Sequence, residues 1–154
     1  MEYRSLLTKF AESVGIKDLV FDEEGVARLI ADDIELAFME IPERHSLLLW
    51  SNVATPPPEH LEELYRALLE VSFMGRGTHG AAFSLEQGHV YLHRIDALVS
   101  LDLNSFTNII EDFINLVVTY RQMIEAFRAD HTDKSSGKHE HHISGFGHFD
   151  FLHV

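Results

Sequence analysis

Few residues in this chain have the type and spacing that chemistry requires. The nearest to a motif are Gly75, Gly77 and Gly80, which spell G-x-G-x-x-G. In a dinucleotide site that pattern follows a strand and opens a helix, whose N-terminus binds the pyrophosphate. Here the predicted helix precedes the glycines and the predicted strand follows them. We therefore expect a turn at this place and no nucleotide site.

The histidines and carboxylates are poorly spaced for a metal ion or for acid–base catalysis. His89 and His93 lie in a predicted strand, where four residues span about 13 Å, too far for one shared ion. No serine, histidine and aspartate show the spacing of a known triad. The sequence predicts no catalytic residue, no metal site and no cofactor. The acidic pairs are sequence neighbours that mostly point apart, which favours a solvated face: Asp22/Glu23, Asp32/Asp33, Glu62/Glu63 and Glu111/Asp112.

The C-terminal tail 129–154 combines imidazole groups with large apolar side chains. His139, His141 and His142 are followed by Phe149 and Phe151. One interpretation is a disordered end with weak affinity for metal ions. Another is an extra strand that docks on an apolar groove of the same chain or of a neighbour. A metal-assisted enzyme is the least favoured interpretation, because catalysis needs ordered groups around the metal ligands.

Composition indicates one acidic domain, 1–128, followed by the tail. The chain has 154 residues, of which 45% are hydrophobic, enough for a core. It has no cysteine, so nothing requires an oxidising compartment. The net charge of −13 disfavours nucleic acids and anionic membranes as partners. Without a signal-peptide pattern or an apolar run of roughly 20 residues, the expected location is the cytoplasm.

Hydrophobic periodicity predicts the elements that position these residues. The fold class is α+β, in the order α-β-β-β-α-β-β-α, with helices packed on a small twisted antiparallel sheet. Leu47–Val53 is apolar on both faces, which predicts a central strand covered on two sides. Asp102 or Asn104 caps the last helix. The predicted segments are a helix over Tyr3–Val14, strands between Leu19 and Val53, a helix from about Pro58 to Phe73, a hairpin over Gly80–Ile95 and a helix over Asn104–Phe127.

Several of these segments together resemble a known family, the class I type III secretion chaperones typified by the Tir chaperone group. The resemblance covers about residues 2–127. Its most specific part is the glycine-rich corner that passes into a strand, 75–85. The other segments that carry it are the opening helix at 6–11, the run 19–25, the buried run 47–52, the helix 61–69 and the strand 90–93.

The resemblance implies a homodimeric cytoplasmic chaperone without ATPase activity of its own. Such a protein holds the N-terminal segment of a secreted effector in extended form and presents it to the export machinery, which includes the secretion ATPase. By resemblance, the effector-binding residues are Leu6, Leu7, Phe10, Val14, Leu29, Ile34, Leu36 and Phe38. The residues implied at the dimer interface are Leu61, Leu64, Tyr65, Leu68, Ala82, Phe83 and Leu85.

A second function remains open from the sequence. A protein-binding or regulatory module of the same fold, working outside secretion, would have the same composition and the same pattern of helices and strands. Whether the captured protein is exported would distinguish the two.

Overall fold

The secondary structure follows the predicted order. A computed structural model describes residues 2–135, with side chains as far as Asp130. Short 3-10 turns lie at Pro42–Arg44, Phe73–Gly75 and Leu98–Ser100. The main elements are α1 (Tyr3–Ser13), β1 (Ala27–Ala31), β2 (Ile34–Ile41), β3 (Ser46–Ala54), α2 (Leu61–Ser72), β4 (Ala82–Glu86), β5 (His89–Ala97) and α3 (Leu103–Ser135).

The ends of the elements differ from the prediction for local reasons. The run expected as a strand near Leu19 forms only an isolated bridge between Phe21 and Ala27. The carboxylate of Asp22 accepts the backbone N–H group of Val26 at 2.8 Å, which closes a turn there. Asp102 caps α3, because its Oδ1 accepts the N–H group of Ser105 at 2.8 Å.

The five strands form one antiparallel sheet in the order β1-β2-β3-β5-β4. β3 is therefore the central strand, as its two apolar faces predicted. It pairs Leu49 with Phe38 of β2 and Trp50 with His93 of β5. The edge strands are β1 and β4. Among the described residues, β4 pairs only with β5, whereas β1 pairs with β2 and carries one further bridge, from Ala27 to Phe21.

All three helices pack on the same face of the sheet. A single hydrophobic core joins the buried side chains of α1, α2 and α3 to alternate residues of the strands, such as Leu36, Leu49 and Leu92. Successive residues of a strand point to opposite faces, so the residues between them lie on the other face. None of these intervening residues of β2 and β3, Trp50 among them, belongs to the core. Within a single chain, the expectation that β3 is covered on both faces is wrong. The helices cover one face of the sheet, and the face that carries Trp50 is not covered by them.

The glycine-rich corner between α2 and β4 is a turn, as predicted. The N–H group of Gly80 donates to the carbonyl of Gly75 at 3.3 Å. A methyl group at Gly77 would lie 2.3 Å from Cγ2 of Val71, so a side chain does not fit there. The helix precedes the corner and the strand follows it.

Candidate functional site

The residues expected to bind the effector lie mostly inside the core. Only Val14 is exposed, because α1 ends at Ser13 and the chain turns away there. The other seven are Leu6, Leu7, Phe10, Leu29, Ile34, Leu36 and Phe38, each less than a tenth exposed. Leu29 also lines an open depression beside β1, whereas the other six are enclosed in the core and support the neighbouring surface from beneath.

Tyr3 holds α1 against the sheet. Its hydroxyl group lies 2.8 Å from the carbonyl oxygen of Phe38 and 3.0 Å from that of Gly25. Burial raises the pKa of Tyr3 to about 12, because an ionised phenolate would be poorly solvated there. Further along α1, the ring of Phe10 meets that of Phe106 of α3 edge-on at 5.2 Å. These contacts explain why the predicted groove is closed.

The free edge of β1 offers an apolar surface that the sequence did not single out as a unit. Val20 is 76% exposed and Ile30 is 70% exposed, and Val14 is exposed as well. An open depression lies between the loop after α1 and β1. Its lining consists of Ile16, Asp18, Leu19, Val20, Asp22, Val26, Arg28 and Leu29. We call the depression, Val14, Ile30 and the outer backbone of β1 the β1 edge surface.

Charged groups frame the β1 edge surface. Arg28 pairs with Asp22 at 3.0 Å and lies 3.6 Å from a carboxylate oxygen of Glu35. The N–H group of Val26 contributes most to holding the pKa of Asp22 below its usual value, and the Arg28 guanidinium adds to that effect. The Arg4 guanidinium lies 4.6 Å from the centre of the Phe21 ring. The apolar depression therefore has a fixed polar border that a ligand's backbone can meet.

The residues expected at the dimer interface are divided between the core and the surface. Leu64 and Leu68 are buried within their own chain, where they pack in the core. Leu85 is exposed on the edge strand β4. The remaining predicted residues, Leu61, Tyr65, Ala82 and Phe83, are partly exposed.

The sequence prediction missed three apolar residues beside this interface. Leu69 is 67% exposed, Phe73 is 65% exposed, and Met74 is more exposed still. Met74 has a φ of 58°, a left-handed conformation that costs free energy for a methionine. We call Leu69, Phe73, Met74 and Leu85 the α2–β4 surface. Because α2 and β4 are in contact, these side chains belong to one region of the molecule.

The histidines of β5 are held by hydroxyl groups of neighbouring segments. Nδ1 of His89 lies 3.0 Å from Oγ1 of Thr55, and Nδ1 of His93 lies 3.2 Å from Oγ of Ser84. Burial lowers the pKa of His93 below 6.5. Within the described residues, no group of three or more His, Asp or Glu side chains is arranged to hold a metal ion. The same part of the chain contains no helix with the length and apolarity needed to cross a bilayer.

Comparisons with solved structures show that the fold is shared with several complexes. The ExsC–ExsE complex matches with a TM-score of 0.69 and 22% identity, over 80% of this chain and 97% of that one. The HopA1–SchA chaperone–effector complex matches with a TM-score of 0.63 and 20% identity, over 78% and 93% of the two chains. The type III secretion chaperone SycH of Yersinia pestis, in complex with a stable fragment of YscM2, matches with a TM-score of 0.58 and 18% identity. The match covers 76% of this chain and 98% of that one.

The sequence comparisons give the family. No curated protein matches the chain. The model of the Tir chaperone protein (CesT) family matches residues 5–121, which is well over half of the sequence. That span runs from the first helix through most of α3, and it includes both surfaces described above. The chain therefore belongs to the Tir chaperone protein (CesT) family.

Proposed function

We propose that this protein is a cytoplasmic type III secretion chaperone that holds the N-terminal segment of a secreted effector in extended form. Family membership supports the class of function. The observation that carries the binding mode is the β1 edge surface, where exposed apolar side chains adjoin a strand whose outer edge, beyond the bridge at Ala27, pairs with no other described strand. The action is binding and release, without a catalytic step.

The edge of β1 suits an extended ligand for a simple reason. A strand at the margin of a sheet presents unpaired N–H and C=O groups to an incoming chain. A ligand that pairs with them places alternate side chains on the same face, where they meet apolar contacts. Val20, Ile30 and the depression beneath β1 provide such contacts. The core beneath α1 holds β1 in a fixed position and so maintains the geometry of this surface.

We further propose that two copies associate through the α2–β4 surface. An extended segment loses conformational entropy along its whole length when it binds, so the contact area must be large. A dimer supplies two β1 edge surfaces and so doubles the available length. The exposed side chains of Leu69, Phe73 and Leu85 support this assignment. The assembled dimer would then deliver the effector to the export machinery, including its ATPase.

Co-expression with candidate secreted proteins, each truncated to its N-terminal segment, tests the proposal. We expect a stable complex that contains the effector segment without globular structure. Hydrogen exchange should show new protection at β1 when the segment is bound, and the captured protein should be exported. Capture of a partner that is never exported would favour the regulatory module instead. Protection confined to other elements would show that the binding mode is wrong.

A further inference from the structure

The sheet face that no helix covers is apolar at its centre. Trp50 of β3 lies between Ala37 of β2 and His93 of β5 in one row across the sheet. The next row places Leu48 between Met39 and Ile95. We call Ala37, Met39, Ile41, Leu48, Trp50, Tyr91, His93 and Ile95 the outer sheet face. None of them joins the core, and apart from Ala37 each is partly or largely exposed.

The end of α3 lies close enough for the C-terminal tail to reach this face. In the second half of α3, Arg121 donates to the carbonyl of Val53 at 3.0 Å and Arg128 donates to that of Thr55 at 2.8 Å. The last part of the helix therefore runs past the end of β3, the strand that carries Trp50. From Arg128 to Ser135 the helix advances about 10 Å. From Thr55 back to Trp50 the strand covers about 17 Å.

The tail is long enough for this path. From residue 136 to Phe149 an extended chain spans up to about 46 Å. That length exceeds the two distances added together and leaves enough to pass around the sheet. The tail segment 136–154 lies outside the described residues.

The apolar residues of the tail are concentrated at its far end. Phe146, Phe149, Phe151, Leu152 and Val154 all lie in the last nine positions. As an extended strand, Phe149 and Phe151 would point to one face, as side chains that cover a sheet must. The apolar end of the tail is therefore the part that lies far enough from Ser135 to reach the outer sheet face.

We propose that residues 146–154 cover the outer sheet face of their own chain around Trp50, with Phe149 and Phe151 as the main contacts. The segment is tethered by roughly ten residues, which gives it an effective concentration on the order of millimolar. A weak contact is therefore enough to keep the face covered. The cover shields the face from unrelated proteins, and it is a role separate from effector binding at the β1 edge surface.

Trp50 is the only tryptophan of the chain, so its fluorescence reports directly on this face. In the full-length protein, the double variant Phe149→Ser, Phe151→Ser should shift the Trp50 emission to longer wavelength and increase its quenching by acrylamide. The matched control, His139→Ser with His141→Ser, changes the tail without removing apolar groups and should behave as the wild type. The proposal is overturned if the phenylalanine variant keeps the emission and quenching of the wild type.

Disulfide formation tests where the end of the tail lies, independently of fluorescence. The chain has no cysteine, so every disulfide in a double variant joins introduced cysteines. We expect Ile95→Cys with Phe149→Cys to form a bond within one chain, seen on a non-reducing gel. Val118→Cys with Phe149→Cys is the control, because Val118 lies on α3, beyond the opposite face. Bonds only between chains, or no bond at all, would overturn the proposal.

Discussion

At the scale of single residues, the hydroxyl group of Tyr3 connects the first helix to the sheet and to the turn that precedes β1. It lies within hydrogen-bonding distance of the Phe38 carbonyl in β2 and of the Gly25 carbonyl in the turn before β1. The ring also meets Phe21 edge-on at 5.8 Å. One side chain therefore fixes both α1 and the turn that borders the β1 edge surface.

Replacing Tyr3 by Phe should lower the free energy of unfolding by about 1–3 kcal/mol, because buried carbonyl groups lose a donor. Urea unfolding followed by circular dichroism would measure the change. Tyr91→Phe is the matched control, since the hydroxyl of Tyr91 makes no hydrogen bond within the described residues and its loss should change stability little. Equal stability of both variants would show that the Tyr3 hydroxyl contributes nothing.

His93 should make stability depend on pH. Burial lowers its pKa in the folded chain below the ordinary value of 6.5, so the unfolded chain binds the proton more readily. The stabilisation is present above pH 6.5 and is lost as the pH falls from there towards the folded pKa. His93→Gln should remove this contribution and flatten the decline in unfolding free energy below about pH 6.5. Parallel curves for the variant and the wild type would contradict the expected role of His93.

At the scale of elements, the two edge strands divide the proposed contacts. β1 borders the exposed side chains of Val20 and Ile30, whereas β4 adjoins the exposed end of α2. Since these strands are at opposite margins of the sheet, effector binding and dimer formation can be altered separately. Variants at each margin therefore test one contact without the other.

Val20→Asp and Ile30→Asp should each weaken effector binding roughly tenfold or more, because a covered apolar side chain contributes about 1.5–3 kcal/mol. Calorimetry with the N-terminal effector segment would measure the affinities. Val99→Asp is the matched control, because Val99 is 89% exposed in the turn before α3, outside the β1 edge surface. An unchanged affinity for both edge variants, with the dimer intact, would place the effector elsewhere.

Leu69→Glu and Phe73→Glu should each convert the proposed dimer to monomers. Each places a charge in an apolar interface, where desolvation is costly. Sedimentation velocity would measure the assembly state, and circular dichroism would show that the fold persists, because both side chains are largely exposed in one chain. Val99→Glu should remain dimeric. Persistent dimers in both α2 variants would mean that the copies meet through another surface.

At the scale of the whole molecule, local chemistry made the order of the elements predictable. The glycines at 75–80 mark the turn between α2 and β4. The two apolar faces of Leu47–Val53 correctly predicted that β3 is the central strand. Proline and glycine act through backbone geometry, which depends on few neighbours. Such signals can therefore be recognised in one sequence.

The surfaces were less predictable, because the same pattern serves a core and an interface. The stripe of α1 that includes Leu6 and Phe10 is buried in its own chain, although it was expected to bind a partner. In α2, Leu68 is buried while its neighbour Leu69 is exposed. Periodicity shows that a helix has an apolar face, but the element that covers this face is decided by the tertiary packing.

The positions of the two margins set a length threshold for the bound segment. β1 and β4 are separated by four strand spacings, or about 19 Å. In a dimer that sets the two sheets side by side at β4, the two β1 margins are about 38 Å apart, a gap that needs about a dozen extended residues. Short leaders should occupy the margins independently, two per dimer. Leaders (N-terminal effector segments) long enough to bridge the gap should bind one per dimer. The number of effector molecules per dimer therefore indicates whether the leader exceeds this length.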